Sequence, residues 1–425
     1  MPVFALVDCN NFYASCEKLF EPNLIHTPVV VLSNNDGCVV ARSAEAKALG
    51  IKMGAPWFQI EDFARKHGVV PFSSNYSLYA DMSGRVVEVL GQFTPNLEVY
   101  SIDESFLEAS GFADLEDYGR QIRARVRDWL GLMVCVGIAH SKTLAKLANH
   151  CAKKGLAGAD GVCNFTAMPH EELTALFSTI DVGEVWGVGR KLTGRLEAMG
   201  IRTVQELRDA DAETIRSRFS VVLERTVREL RGVSCLALDE VVADKQQIIS
   251  SRSFGRYITR LPELEEAVAA YISRAAEKLR AQDSVAGVLQ VYIRTNPFSE
   301  HQQQYQKAMS VPLPRAMADT CLLVQWGLRM LRRIYKPGYN YQKAGVMLAD
   351  IRPRQNIQGD LFASEAWSER RAKLMETMDA INGRWGRGAM RVAAEGIQKS
   401  WQMKRQRMSP GYTTDWYGLP TVVAK

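Results

Sequence analysis

Three carboxylates stand where a carboxylate is costly. Asp8 closes the apolar run Val3-Phe4-Ala5-Leu6-Val7, and Asp103 and Glu104 interrupt Val99-Tyr100-Ser101-Ile102-Asp103-Glu104-Ser105-Phe106-Leu107. Inside an apolar strand a carboxylate must be paired or must ligate a metal. On neighbouring strands the three would form an oxygen-only site suited to Mg²⁺. Two ions so held clamp the attacking and leaving oxygens of a phosphoryl transfer. The other reading is strand-edge carboxylates in salt bridges or turns, and spacing alone does not separate the two. Successive strand residues face opposite ways. Asp103 and Glu104 can therefore share a site only if the chain turns or bulges there, or if each binds a different ion.

A second group could hold phosphate. In Ser141–Lys153, a helical turn of ~100° per residue puts Lys142, Lys146, Asn149 and Lys153 within about 60° of one another. Leu144, Ala145, Leu147, Ala148, Cys151 and Ala152 fill the opposite arc, and no acid shares the stripe. Lysines serve phosphates as point charges; a solvated lysine face is the commoner alternative. Arg42 and Lys47, on the Ala-rich segment Ser43–Leu49, are weaker candidates for the same work. A third group is Trp186-Gly187-Val188-Gly189-Arg190-Lys191, followed by Leu196, Gly200-Ile201 and Leu207. Gly187 and Gly189 would let backbone N–H groups approach a phosphate at a helix start, which positions a duplex without reading its sequence. An ordinary αα-hairpin has the same outline. Arg225, Arg228 and Arg231 add charge beyond it.

Elements must hold these groups in place. Val3–Val7, Val29–Leu32, Glu98–Leu107 and Met133–Ala139 read as strands, and Phe12–Phe20 and Ser43–Leu49 as helices. Strands alternating with helices over the first ~170 residues suggest an α/β or α+β domain. Residues 171–232 are helical in pattern, and Leu236–Asp244 reads as a linker. Residues 246–350 mix strands (Val288–Arg294, Ala344–Leu348) with helices (Leu264–Ala281, Cys321–Ile334). Leu374, Met375, Met378 and Ile381 mark one amphipathic helix in a basic tail. The 425 residues carry a net charge of +6, but unevenly. Residues 1–185 hold 15 Lys/Arg against 22 Asp/Glu, and residues 186–425 hold 38 against 25. An acidic front half is joined to a basic back half. The eight cysteines show no CxxC and no zinc spacing, and no segment approaches ~18 uninterrupted apolar residues. The expectation is a reduced, soluble, cytoplasmic protein with no membrane partner.

Several motifs together resemble the Y-family translesion DNA polymerases: Asp8-Cys9-Asn10-Asn11-Phe12-Tyr13, Arg42-Ser43-Ala44-Glu45-Ala46-Lys47, Tyr100-Ser101-Ile102-Asp103-Glu104, Ser141-Lys142-Thr143-Leu144-Ala145-Lys146 and Ser251-Arg252-Ser253-Phe254-Gly255. The resemblance runs essentially end to end. It implies an α+β multidomain right-hand polymerase: a ferredoxin-like palm (1–30 and 76–168), small fingers (31–75) and a thumb with a helix-hairpin-helix (169–236). A linker (237–245), an α/β little finger (246–350) and a tail (351–425) would complete it.

The same resemblance assigns roles. Asp8, Asp103, Glu104 and the Cys9 carbonyl would hold two Mg²⁺, and Tyr13 would be the steric gate that excludes a ribose 2′-OH. From its type alone, Tyr13 is as readily a core aromatic. Lys153, Lys47 and Arg42 would hold the dNTP; many relatives carry Arg where this chain has Lys47, which keeps the charge but not the bidentate fork. Lys142, Lys146, Gly187, Gly189, Arg190 and Lys191 would face primer–template DNA. Gln358, Leu361 and Phe362 of Gln358-Gly359-Asp360-Leu361-Phe362 would bind a sliding clamp. Ser409–Trp416 resembles the family's tail, and the implied partners are the processed UmuD dimer and RecA. The implied activity is error-prone, template-directed synthesis past lesions during the SOS response, in a bacterial, nucleoid-associated setting. A nucleotidyl cyclase and a non-catalytic DNA-binding factor of the same fold are the alternatives.

Overall fold

The computed structural model describes residues 1–239, 244–356 and 365–419. The clamp-type segment with Gln358, Leu361 and Phe362 lies outside these. Two units divide the chain: Met1–Ser33, Gly37–Val242 and Arg407–Lys425 in the first, Asn34–Asp36 and Ala243–Gln406 in the second.

Among the described residues the first unit carries eight strands: β1 (Phe4–Cys9), β2 (Val29–Leu32), β3 (Val39–Arg42), β4 (Val70–Ser73), β5 (Leu97–Val99), β6 (Glu104–Glu108), β7 (Val134–Ala139) and β8 (Val162–Asn164). The main sheet has the order β5-β6-β1-β7-β8. β1 is apolar along its length because it is central, pairing antiparallel with both β6 and β7. Helices Tyr76–Leu90 and Leu115–Leu130 link β1 to β5 and β6 to β7. This gives the βαββαβ string and 4-1-3-2 order of a ferredoxin-like fold, with β8 added at one edge. Val29–Leu32 and Phe12–Phe20 have the bounds expected from sequence. The run Glu98–Leu107 does not form one strand; it breaks between β5 and β6.

Strand periodicity sorts the side chains of β1. Ala5, Val7 and Cys9 enter a core with helices Phe12–Phe20, Tyr76–Leu90 and Leu115–Leu130. Phe4 and Leu6 enter the core on the other face, under helix Lys142–Lys154. Asp8 follows Phe4 and Leu6 to that second face. Gly137 lets the helix approach: a Cβ there would lie 2.1 Å from the Asn149 amide nitrogen. A small sheet of order β3-β2-β4, with its own apolar core, forms the expected fingers. Helices His170–Thr179, Arg190–Glu197, Val204–Asp209, Ala212–Arg218 and Val221–Leu230 form the thumb. Their apolar faces share a core with Leu144, Leu147 and Cys151.

The second unit has β9 (Ile248–Ile258), β10 (Ser284–Arg294), β11 (Gln306–Met317) and β12 (Tyr341–Pro353) in the order β11-β10-β12-β9. Helices Leu261–Ala281 and Thr320–Ile334 cover one face. The expected amphipathic helix is Glu365–Trp385, burying Met375 and Met378. All eight cysteines are free thiols. No helix among the described residues is long and apolar enough to cross a membrane.

Candidate active site

The carboxylates converge at the end of β1. Asp8 lies directly opposite Glu104 in the β1–β6 register. Asp103 sits outside β6 in a bend, and its carbonyl accepts from the Cys9 amide at 2.9 Å. Ser101 builds that bend. Its hydroxyl donates to Asp103 Oδ1 at 2.7 Å and accepts from the amides of Asp103 (3.2 Å) and Glu104 (3.1 Å). The turn thus answers the sequence-level difficulty, because two adjacent acids serve one corner once the first leaves the pleat. Burial, above all, raises the Asp8 carboxyl to about 6. The Lys153 ammonium opposes this, and the charges of Glu104 and Asp103 add to it.

The lysine helix turns its polar face onto these acids. Lys153 Nζ lies 2.5 Å from Asp8 Oδ2, and Lys146 Nζ lies 2.8 Å from Glu104 Oε1. Lys146 also stands 4.5 Å from the centre of the Tyr100 ring. The stripe lacks acids of its own because its counter-ions come from strands. Two expectations need correction here. Lys142 does not face solvent or a phosphate: it is 3% exposed and pairs with Glu98 Oε2 at 2.5 Å. Asn149 is also buried, donating to the carbonyls of Leu6 (3.2 Å) and Cys135 (2.8 Å), so it ties β1 and β7 to the helix. Glu98 and Ser101 are positioning residues that no local spacing pointed to.

Tyr13 is half-buried on Phe12–Phe20 and stacks on Tyr79, with centroids 4.3 Å apart and planes 15° apart. Lys47 is exposed, and its ammonium donates to Asn11 Oδ1 at 2.5 Å. Burial first, then nearby Arg42 and Lys153, lower the Lys47 pKa. Arg42 instead donates to the Ile51 carbonyl at 2.6 Å, which fixes the fingers turn.

In the thumb, Gly187 has φ +86°, a conformation that requires glycine. Gly189 caps Arg190–Glu197, its carbonyl accepting from the Leu192 and Thr193 amides. Arg190 and Lys191 are exposed at that helix start. Arg228 and Arg231 are used structurally. The first pairs with Glu224 at 2.5 Å and the second donates to the carbonyls of Arg208 and Ala210. The expected linker is partly fastened, because Glu229 accepts from the amides of Cys235 and Leu236, and Glu98 from that of Asp239. Among the described residues no three His, Cys, Asp or Glu side chains converge closely enough to enclose a metal ion. The donor set still fits a hard cation: oxygen donors from opposed strand ends, whose mutual repulsion a cation would relieve.

The fold is that of the Y-family DNA polymerases. A Dbh–Dpo4 Y-family polymerase chimera aligns with a TM-score of 0.65 at 18% identity, covering 83% of this chain and 99% of the other. The chain belongs to the impB/mucB/samB family, whose model matches residues 7–150 and whose C-terminal domain matches 245–361. Protein UmuC of Salmonella typhimurium strain LT2 is 46% identical over 420 residues, 98% of this chain and 99% of that protein. A DNA polymerase IV from Desulfatibacillum aliphaticivorans is 26% identical, covering 91% of this chain and 95% of its own. Residues 372–422 match a domain of unknown function, DUF4113.

Proposed function

We propose that the chain is a DNA-directed DNA polymerase that extends a primer past damaged bases, with Asp8, Asp103, Glu104 and the Cys9 carbonyl holding two Mg²⁺. The observation that carries this is the register of Asp8 against Glu104, with Lys153 and Lys146 bonded to the same two acids. Bound Mg²⁺ supplies Lewis acidity to the primer 3′-OH and charge neutralisation to the triphosphate. The chain's own residues do the rest. Lys153 and Lys47 offer ammonium groups to the dNTP phosphates, and Lys153 is released for this when Asp8 is otherwise neutralised. Lys146 holds Glu104 in place. Tyr13 presents its ring edge to the sugar. The exposed amides of Gly187 and Gly189, with Arg190 and Lys191, grip the duplex backbone of primer–template DNA. Small fingers enclose the nascent pair loosely, which suits lesion tolerance at the expense of fidelity.

The tail is assigned to partners: the Gln358–Phe362 segment to a sliding clamp, and the remainder to the processed UmuD dimer and RecA, in the bacterial cytoplasm beside the nucleoid. The test is Mg²⁺-dependent primer extension across an abasic site, with and without those partners. Extension that Asp103→Asn and Glu104→Gln abolish supports the assignment. Equal extension by both variants contradicts it, and product made without primer and template would mark a cyclase.

A further inference from the structure

Residues Arg407–Leu419 fall within the stretch that matches a domain of unknown function, and the chemistry above makes no use of them. In the first unit they form a strap that reaches the two helices flanking Tyr13. Ser409 is 5% exposed. Asn75, the N-cap of Tyr76–Leu90, donates through Nδ2 to the Ser409 hydroxyl (3.0 Å) and to the carbonyls of Ser409 and Pro410 (both 3.2 Å). Its Oδ1 accepts from the Leu78 amide, so one side chain joins strap and helix. Burial pushes the neighbouring Glu17 carboxyl up to about 7, which the Tyr79 and Ser409 hydroxyls oppose.

Glu17 is fully buried in helix Phe12–Phe20, one turn from Tyr13. Tyr79 donates its phenolic proton to Glu17 Oε1 at 2.5 Å, and the Tyr79 ring is the one stacked on Tyr13. A little further on, Tyr412 stacks on Phe20 with centroids 4.7 Å apart and donates to Glu21 Oε1 at 2.8 Å. The strap is therefore fixed to the start of Tyr76–Leu90 and to the end of Phe12–Phe20. A buried carboxylate is a costly way to fill a core, and an apolar residue of similar size would fill it more cheaply. What the polar chain adds is direction. The O–H···O bond fixes Tyr79, and the stack transfers that orientation to Tyr13.

We propose that the strap is a positioning element for sugar selection: Ser409, acting through Asn75 and the helix that carries Tyr79, sets the plane of the Tyr13 ring. This rests on the reading of Tyr13 as the gate against a ribose 2′-OH. Sugar choice by a ring edge depends on placement to within an ångström, so loosening Tyr79 admits ribonucleotides without removing the ring.

The test is single-nucleotide insertion by the full chain, measured as the ratio of kcat/KM for a dNTP over the matching rNTP. Tyr13→Ala lowers the ratio most. Ser409→Ala and Tyr79→Phe each lower it about three- to tenfold, the effect of losing one hydrogen bond, chiefly through better use of the rNTP. Ser409→Thr, which keeps the hydroxyl, restores it. In a Tyr13→Ala background, Ser409→Ala changes the ratio no further, because nothing is left to position. A ratio unchanged by both Ser409→Ala and Tyr79→Phe overturns the proposal, whether or not dNTP and rNTP rates fall together. An undiminished Ser409→Ala effect in the Tyr13→Ala background also overturns it. If Tyr13→Ala itself leaves the ratio unchanged, the gate reading fails first and is identified as the failure.

Discussion

The two units contain the same string of elements wired differently. Both read βαββαβ, but the first orders its sheet β5-β6-β1-β7 and the second β11-β10-β12-β9. In the first, the opening strand is central, so its last residues meet a neighbour on each side and Asp8 faces Glu104. In the second, the opening strand β9 is an edge and pairs with β12 alone. No corresponding corner arises there for carboxylates to share. Where the first sheet buries acids beside lysines, the face of the second away from its helices presents Ser251, Gln290, Tyr292, Arg294, Ser310 and Lys343. That surface is polar and carries positive charge, suited to lie along a phosphate backbone without reading bases. One fold string supplies chemistry or grip according to which strand is central.

The largest expected effect tests the chemical side. Asp8→Asn or Glu104→Gln should cost at least about 10³-fold in insertion rate, the scale of losing an organised transition-state contact. DNA affinity, measured by anisotropy, should change less than about twofold, because the carboxylates do not bind phosphate. Comparable losses in both would merge the two functions that the wiring separates. Next in size is the buried Lys142–Glu98 pair. Lys142→Ala should destabilise the protein by roughly 3–5 kcal/mol in urea titration, since it leaves a buried carboxylate unpaired. Lys142→Met combined with Glu98→Leu should recover most of that loss. A mild effect of Lys142→Ala would return this lysine to the surface role its spacing suggested.

That residue shows where the sequence stopped being legible. Strands and helices with strong local patterning, such as Val29–Leu32 and Phe12–Phe20, are readable from periodicity alone. The Asp8, Asp103 and Glu104 set is readable because acids in apolar runs are conspicuous. The bend at Ser101 is hidden by Val99 and Ile102, whose apolar character continues the strand pattern across the break. The counter-ions of the lysine stripe are hidden for another reason. Lys142 and Glu98 lie 44 residues apart, and Asn75 and Ser409 lie 334 apart. No local period encodes such pairs. The tertiary fold alone turns a lysine face toward a sheet end instead of toward water.

A smaller effect concerns pH. The folded-state pKa of Asp8 is raised to about 6 from 3.8, so the folded protein binds this proton more tightly than the unfolded chain. The Asp8 contribution therefore makes the metal-free protein more stable as pH falls from 6 toward 4. Protons and Mg²⁺ then compete for the same oxygen. The Mg²⁺ concentration for half-maximal extension should rise about tenfold per pH unit below 6 and level off above it. A flat dependence would remove Asp8 from the metal site. The smallest effect tests the grip. Arg190→Ala should weaken duplex binding about threefold and reduce the slope of log affinity against log salt by about 0.9, leaving the insertion rate at saturating DNA unchanged. A change in that rate would place Arg190 nearer the chemistry than the thumb geometry does.

The proposed two-metal site lies at the end of β1 and the bend before β6. Its most direct test is Mn²⁺ titration followed by electron paramagnetic resonance, on the full chain with primer–template and a non-hydrolysable dNTP analogue. Two ions should bind per chain, and at least one should be lost in Asp8→Asn and in Asp103→Asn. Equal stoichiometry in the parent and both variants would contradict it.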